Sequence, residues 1–275
     1  MKETWFPRLE ENKGWKFGFS RFISFLVQAL QNRPRIRKLL NPILKRAPIV
    51  FSFQGKALRT FTIDWCRDDE VLELAEQVEA STLLFLQTDL RPDLIFDVGA
   101  SCGISTHILF AQAPTAKVIA YEPRPQAFGR LQRRLKKLPG PHECLQAAVG
   151  LHAETVEFQD KGVGTARAHP KEKSFPARVV TLEEGVIFNK DAKLVLKIDI
   201  EGEEKNLLPK IVSRLPGSCV ILLETHQPLE EVKSYANRSL QAGFQWNLLR
   251  YREMPEFGGP FADWILTGPS VRFRL

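Results

Sequence analysis

The chain has 275 residues, 44% of them hydrophobic and 26% charged, the balance of a globular protein with enough apolar residues for a sizeable core. No run of eighteen uncharged apolar residues occurs, which excludes a membrane-spanning helix, and the charged start Met1–Glu11 does not read as a secretory signal. Cys66, Cys102, Cys144 and Cys219 are scattered without paired spacing, which excludes zinc and dithiol motifs and reads as reduced thiols of the cytoplasm.

The formal net charge of +7 is unevenly laid down: residues 1–60 hold 13 Lys+Arg against 3 Asp+Glu, and the rest of the chain holds 26 against 29. Only the N-terminal segment is therefore a candidate for an anionic partner. Residues 1–48 read as a basic, amphipathic helical extension, and 49–275 as the body. Trp15, Phe19, Phe22, Leu26 and Leu30 recur at helical spacing up to the Asn32–Arg33–Pro34 breaker, and a second short helix around Ile36–Leu44 is interrupted at Pro42. Next, 49-IVFSFQGKALRTFTID-64 alternates about Gln54–Gly55 as a hairpin, and 69–87 has a helical pattern.

From there apolar runs at 94–98, 117–121, 144–149, 194–198, 219–223 and 244–249 read as strands, with 261–268 as a last one. Helical patterns fall between them at 103–112, 126–138, 203–213 and 229–241. That rhythm predicts an α/β fold with an open, mostly parallel sheet and helices on both faces. The interval 151–182 breaks it, with 154–160 and 177–184 predicted as an inserted strand pair around a polar loop.

In such a sheet, ligands lie beyond the carboxyl ends of the strands. The stretch 94-LIFDVGASCGIS-105 puts a small-residue loop there, with Gly99 for a tight turn and close approach and Gly103 at the start of a helix. The next strand, 117-KVIAYE-122, ends in Glu122, whose carboxylate can accept two hydrogen bonds from the vicinal hydroxyls of a ribose. The spacing Gly99-x-x-x-Gly103 is not the dinucleotide fingerprint. Asp97 beside the loop disfavours a pyrophosphate and suits a cation, which selects S-adenosylmethionine over NAD.

The pieces 96-FDVGASCG-103, 121-YEPRPQAF-128, 146-QAAVG-150, 181-TLEE-184, 197-KIDIEGEE-204 and 222-LLETH-226 resemble, in order and interval over residues 50–268, the FkbM family of S-adenosylmethionine-dependent methyltransferases. The resemblance implies a class I, Rossmann-like methyltransferase fold and methyl transfer to a hydroxyl of a small molecule, a sugar or a polyketide. It also implies cofactor contacts from Asp97, Gly99, Ser101, Gly103, Glu122 and Asp199. The family usually has Asn where this chain has Ser101, so altered contacts to the methionine part of the cofactor are expected.

Lys197, Asp199 and Glu201 share one face of their strand by the period of two, as do Glu224 and His226 on theirs. An alkyl hydroxyl needs a general base, for which His226 is the first choice and Asp199 the alternative. Glu201 and Glu224 are candidates for the substrate or for a divalent metal, although no metal is expected. Alignment of oxygen, methyl carbon and sulfur alone is a further way to most of the rate. Glu203 and Glu204 are read as acids favoured at a helix start, and Arg124, Arg130, Arg133, Arg134, Lys136 and Lys137 as solvated charge.

Two rival readings are a cofactor-binding interaction protein without catalysis and an RNA methyltransferase. The joint presence of Asp97, Glu122, Asp199, Glu201 and His226 argues against the first, and the net acidic body against the second. Residues 13–47 suit packing on the body, as a lid or homodimer contact, or else a peripheral contact with an anionic membrane.

Overall fold

The computed structural model describes residues 88–160, 173–182, 187–254 and 259–273, together with 17–19, 26, 29–30, 33–46, 49–53, 56–64, 67, 70–71 and 74. Cys66, positions 54–55 and most of the helix expected over 69–87 lie outside the described residues, as does the insertion loop around 161–172.

The described residues begin with a small antiparallel sheet in the order β1-β2-β3, made of β1 (Phe17–Phe19), β2 (Ile49–Phe53) and β3 (Lys56–Phe61). Helix α1 (Pro34–Leu44) lies between the first two strands and starts two residues before the expected Ile36; it runs on through Pro42, where the sequence predicts an interruption. The hairpin of β2 and β3 follows the alternation of the sequence. Strand β1 does not: the helical spacing places Phe19 in a helix starting at Trp15, yet Phe17–Phe19 lie opposite Phe51–Phe53. Aromatic residues favour strands when an edge is available, and pairing outweighs the helical period here.

The body follows as β4 (Leu94–Val98), α2 (Ile104–Gln112), β5 (Lys117–Tyr121), α3 (Pro125–Leu135) and β6 (His142–Leu145). Then come β7 (Ala148–Val149), β8 (Glu154–Asp160) and β9 (Lys173–Val180), which form a separate sheet in the order β7-β9-β8. The single strand expected over 144–149 is thus two strands in two sheets, the chain turning between them at Gln146–Ala147. The last part is β10 (Leu194–Ile198), α4 (Glu204–Ile211), β11 (Cys219–Thr225), α5 (Leu229–Gln241), β12 (Gln245–Met254) and β13 (Gly259–Thr267).

Seven strands make the main sheet, in the order β12-β13-β11-β10-β4-β5-β6. Strand β13 alone is reversed, antiparallel to β11 and β12. The order turns back between β4 and β10, which pair in parallel. This is the class I methyltransferase arrangement, and it opens a crevice at the carboxyl ends of β4 and β10.

The period of two sorts the core. Leu94, Phe96, Val98, Leu194, Leu196 and Ile198 pack with Leu207, Leu208, Val232 and Tyr235 of α4 and α5, whereas Ile95 and Val195 pack with Leu109, Phe110, Leu131 and Leu135 of α2 and α3. Asp97 and Lys197 fall on the second face and are register partners, so the sheet itself brings them together. Eight of the nine residues of α2 are buried, because it is covered twice. Its other side carries Ile104, Ile108 and Ala111, which cluster with Cys102 of the preceding loop and with Leu30, Ile49, Ile63, Val71 and Leu74. Residues on both sides of position 48 therefore share one core. Among the described residues, no helix is long and apolar enough to cross a membrane.

Candidate active site

Three alternate residues with left-handed backbone build the loop after β4. Gly99, Ser101 and Gly103 have φ values of 82°, 49° and 86°. The approach that demands Gly99 comes from the protein: a Cβ there would stand 1.8 Å from the carbonyl oxygen of Asp199, as the end of β10 crosses the loop. Gly103 is pressed by α3, since a Cβ would lie 2.8 Å from Leu131 Cδ1. Both glycines thus seat the crossover, and what the loop offers a ligand is its backbone between them.

Asp97 is where the sequence placed it, but its carboxylate is fully buried. One oxygen accepts from the Ser105 hydroxyl at 3.1 Å and the Thr106 hydroxyl at 2.6 Å, both in the first turn of α2. The other lies 3.4 Å from Lys197 Nζ. A carboxylate therefore occupies the helix start where a dinucleotide site needs a pyrophosphate. Lys197 also donates to the Gly99 carbonyl at 3.1 Å and stands 3.4 Å from Asp199. One ammonium thus ties β4, the glycine loop and β10.

Glu122, just past β5, is buried and accepts from the Ser101 amide at 2.9 Å. Its second oxygen accepts from the Arg124 amide at 2.9 Å and Arg124 Nε at 2.8 Å, and Arg124 Nη2 donates to the Ser101 hydroxyl at 3.2 Å. Arg124 is therefore a partner of the predicted ribose acid and not solvated charge. Arg134 departs in the same way, donating to the Cys102 carbonyl and to Glu70 at 3.1 and 3.2 Å. The donor set fits an adenosine moiety: an acid beside a glycine loop, one oxygen of which takes a single hydrogen bond from Ser101 and keeps a lone pair for another.

The second polar group gathers beyond β10 and β11. Asp199 is about a quarter exposed, beside the loop. Strand β10 ends at Ile198, and Glu201 sits at φ 58° with its side chain 81% exposed, so the period of two does not carry Glu201 onto the face of Lys197 and Asp199. It still comes within 3.6 Å of His226 Nε2, which lies 3.5 Å from Glu224. His226 Nδ1 is 3.4 Å from Glu204.

Glu204 is the residue that local reading misses. It is fully buried, accepts from the Ile200 and Gly202 amides at 2.9 Å each, and so holds the turn that follows β10. Gln227 braces the same turn by donating to the Gly202 carbonyl at 3.2 Å, and Tyr235 donates to Gln227 at 3.2 Å.

Burial disfavours the charged imidazole of His226, but its pairing with Glu204 and Glu224 and the charge of Asp199 outweigh that and push its pKa up to about 12. Next to Glu224 in register lies Asp263, paired with Arg250 across β12 and β13. Burial and the Glu224 charge push the Asp263 carboxyl up against the pull of Arg250. Asp199, Glu224 and His226 bring one donor atom each within 4.8 Å of one another, a spacing that a divalent cation could use only by displacing the proton of His226.

No family model matches the chain. It is similar to the hexuronic acid methyltransferase AglP of Haloferax volcanii, 25% identical over 185 residues that cover 66% of this chain and 75% of that one. Among solved structures, it is similar to the Methanococcus jannaschii fibrillarin pre-rRNA processing protein, with 11% identity, 82% and 84% of the two chains covered and a TM-score of 0.46. The precorrin-6y C5,15-methyltransferase of Geobacter metallireducens gives 17% identity, 70% and 87% coverage and a TM-score of 0.41.

Proposed function

We propose that the chain is an enzyme that binds S-adenosylmethionine and transfers its methyl group to a sugar hydroxyl. When bound, that cofactor supplies an electrophilic methyl on a sulfonium. The observation that carries this reading is Glu122, an acid at the end of β5 hydrogen-bonded to the glycine loop at Ser101, where it can receive ribose hydroxyls. Asp199 lies beside the same loop with an accessible carboxylate, suited to the cationic part of the cofactor or to the acceptor. The motifs shared with the FkbM family and the similarity to a hexuronic acid methyltransferase support the same reading and favour a sugar acceptor.

The histidine is cast differently from the sequence reading. An imidazole held protonated by Glu204 and Glu224 is poorly placed to accept a proton at neutral pH. This favours Asp199 as the group that takes the acceptor proton, with His226 orienting the carboxylates around it. Alignment of the acceptor oxygen remains the larger part of the rate in either case.

Two measurements test the reading. Isothermal titration should show binding of S-adenosylmethionine and none of NAD; the reverse overturns it. Incubation with methyl-labelled cofactor and a hexuronic acid glycoside should give an alkali-stable methyl ether. An alkali-labile methyl ester would place the transfer on the sugar carboxylate and overturn the hydroxyl acceptor.

A further inference from the structure

Helix α1 has two unlike sides. Leu40 and Leu44 pack against the cluster formed with Leu30, Ile104 and Ile108, and Arg37 is buried on the same side. On the other side Ile36, Leu39 and Ile43 are 40%, 78% and 72% exposed. They follow one another at three and four residues and so form one ridge along the helix. The described residues include two further exposed large aliphatics, Leu151 between β7 and β8 and Leu240 on α5. The concentration on α1 is therefore local. A single exposed leucine needs no account, but a ridge of three on an eleven-residue helix does.

The charge around the ridge is of one sign. Arg33, Arg35, Lys38, Lys45 and Arg46 are exposed, and residues 33–46 contain no acid. At a hundred degrees per residue, Arg35 borders Leu39 directly and Lys38 lies just behind it, while Arg46 stands in the turn past the helix C-terminus. The ridge is convex and purely aliphatic, flanked by basic side chains. That combination matches a lipid interface, where aliphatic side chains enter the acyl boundary and Lys or Arg stay at headgroup level.

We propose that α1 docks the protein on an anionic lipid surface through Ile36, Leu39 and Ile43, with Arg35, Lys38 and Arg46 meeting the headgroups. Each basic residue near such a surface contributes roughly a fivefold gain in partitioning, screened by salt. The site is a surface of the full chain and its readout is vesicle binding, so its test does not depend on methyl transfer.

The experiment is co-sedimentation of the full chain with phosphatidylcholine vesicles, with and without phosphatidylglycerol. Binding is expected only with the anionic lipid and should fade as salt is raised. The double variant L39E/I43E, at two exposed positions, should keep its melting temperature and lose about tenfold or more of the binding. R35E/K38E should lose a similar amount and shift the salt dependence. Equal binding by parent and L39E/I43E, or binding indifferent to anionic lipid, overturns the proposal. So does the absence of vesicle binding together with a dimer that L39E/I43E converts to a monomer in sedimentation velocity, which would make the ridge a contact between copies.

Discussion

The two polar groups at the carboxyl edge of the sheet are built on opposite terms. Around the glycine loop every charge is matched: Asp97 has Lys197 and two hydroxyls, and Glu122 has Arg124 and two amides. Asp97 and Glu122 are buried, and Lys197 almost so. Around His226, by contrast, Glu201, Glu204 and Glu224 converge on one imidazole with Asp199 close by, and three of the five side chains are a fifth to a quarter exposed. The first group is a joint that fixes backbone, and one Glu122 oxygen keeps a lone pair for a ligand. The second carries surplus negative charge facing a crevice, an arrangement that makes sense when a cation or a proton is to arrive. Substitutions should therefore cost stability in one group and turnover in the other.

The largest effect is expected on turnover. Asp199→Asn should reduce the methyl-transfer rate about 10²–10⁴-fold, the scale of a lost proton acceptor, with little change in melting temperature. Because His226 is held protonated up to about 12, the pH–rate profile of the parent should show no inflection near 6.5. An inflection there, with Asp199→Asn still active, would return the base to His226.

On the other side of the comparison, Lys197→Met removes one partner of a buried pair and leaves Asp97 uncompensated. The expected cost is about 3–5 kcal/mol of stability in a denaturant titration. The double variant Asp97→Asn with Lys197→Met should recover part of it, since neither charge is then stranded. If Lys197→Met keeps its stability, the joint is not what holds the loop to β10.

Gly99→Ala separates the two meanings a glycine can have. A Cβ at 1.8 Å from the Asp199 carbonyl cannot be absorbed by a flexible side chain, and φ at 82° adds its own strain. We expect a loss of roughly 1–3 kcal/mol even without cofactor. A variant that is stable but no longer binds S-adenosylmethionine would show that the ligand, rather than the crossover, is what approaches Gly99.

Much of this was legible in the sequence because it depends on local pattern. Apolar runs carrying one charged residue each gave β4, β5 and β10 to the residue, since a parallel strand is covered on both faces and shows no polar alternation. The loop glycines and Glu122 announce themselves by position. What escaped depends on register and distance. Glu204 looks like an acid at a helix start until the turn 200–202 folds back onto it. Arg124 looks solvated until its neighbour Glu122 turns inward. Asp263 and Arg250 acquire meaning only once β13 is set antiparallel between β11 and β12. Phe17–Phe19 needed the edge of β2, which no local period reveals.

The smallest effect expected lies at Ser101, the position where the resembling family usually has Asn. Its φ of 49° is left-handed, a conformation that costs a residue with a Cβ roughly 1–2 kcal/mol and that Asn relieves by local hydrogen bonding. Against that, the serine hydroxyl accepts from Arg124 at 3.2 Å, a partly exposed contact that an Asn carbonyl could replace. The Glu122 bond is to the Ser101 amide and survives any side chain. Ser101→Asn should therefore stabilise by about 0.5–1 kcal/mol, a rise of about 1–4 °C in melting temperature for a chain of this size. A fall instead would mean that the serine–arginine contact outweighs the backbone preference, and would place Arg124 among the groups that hold the loop closed.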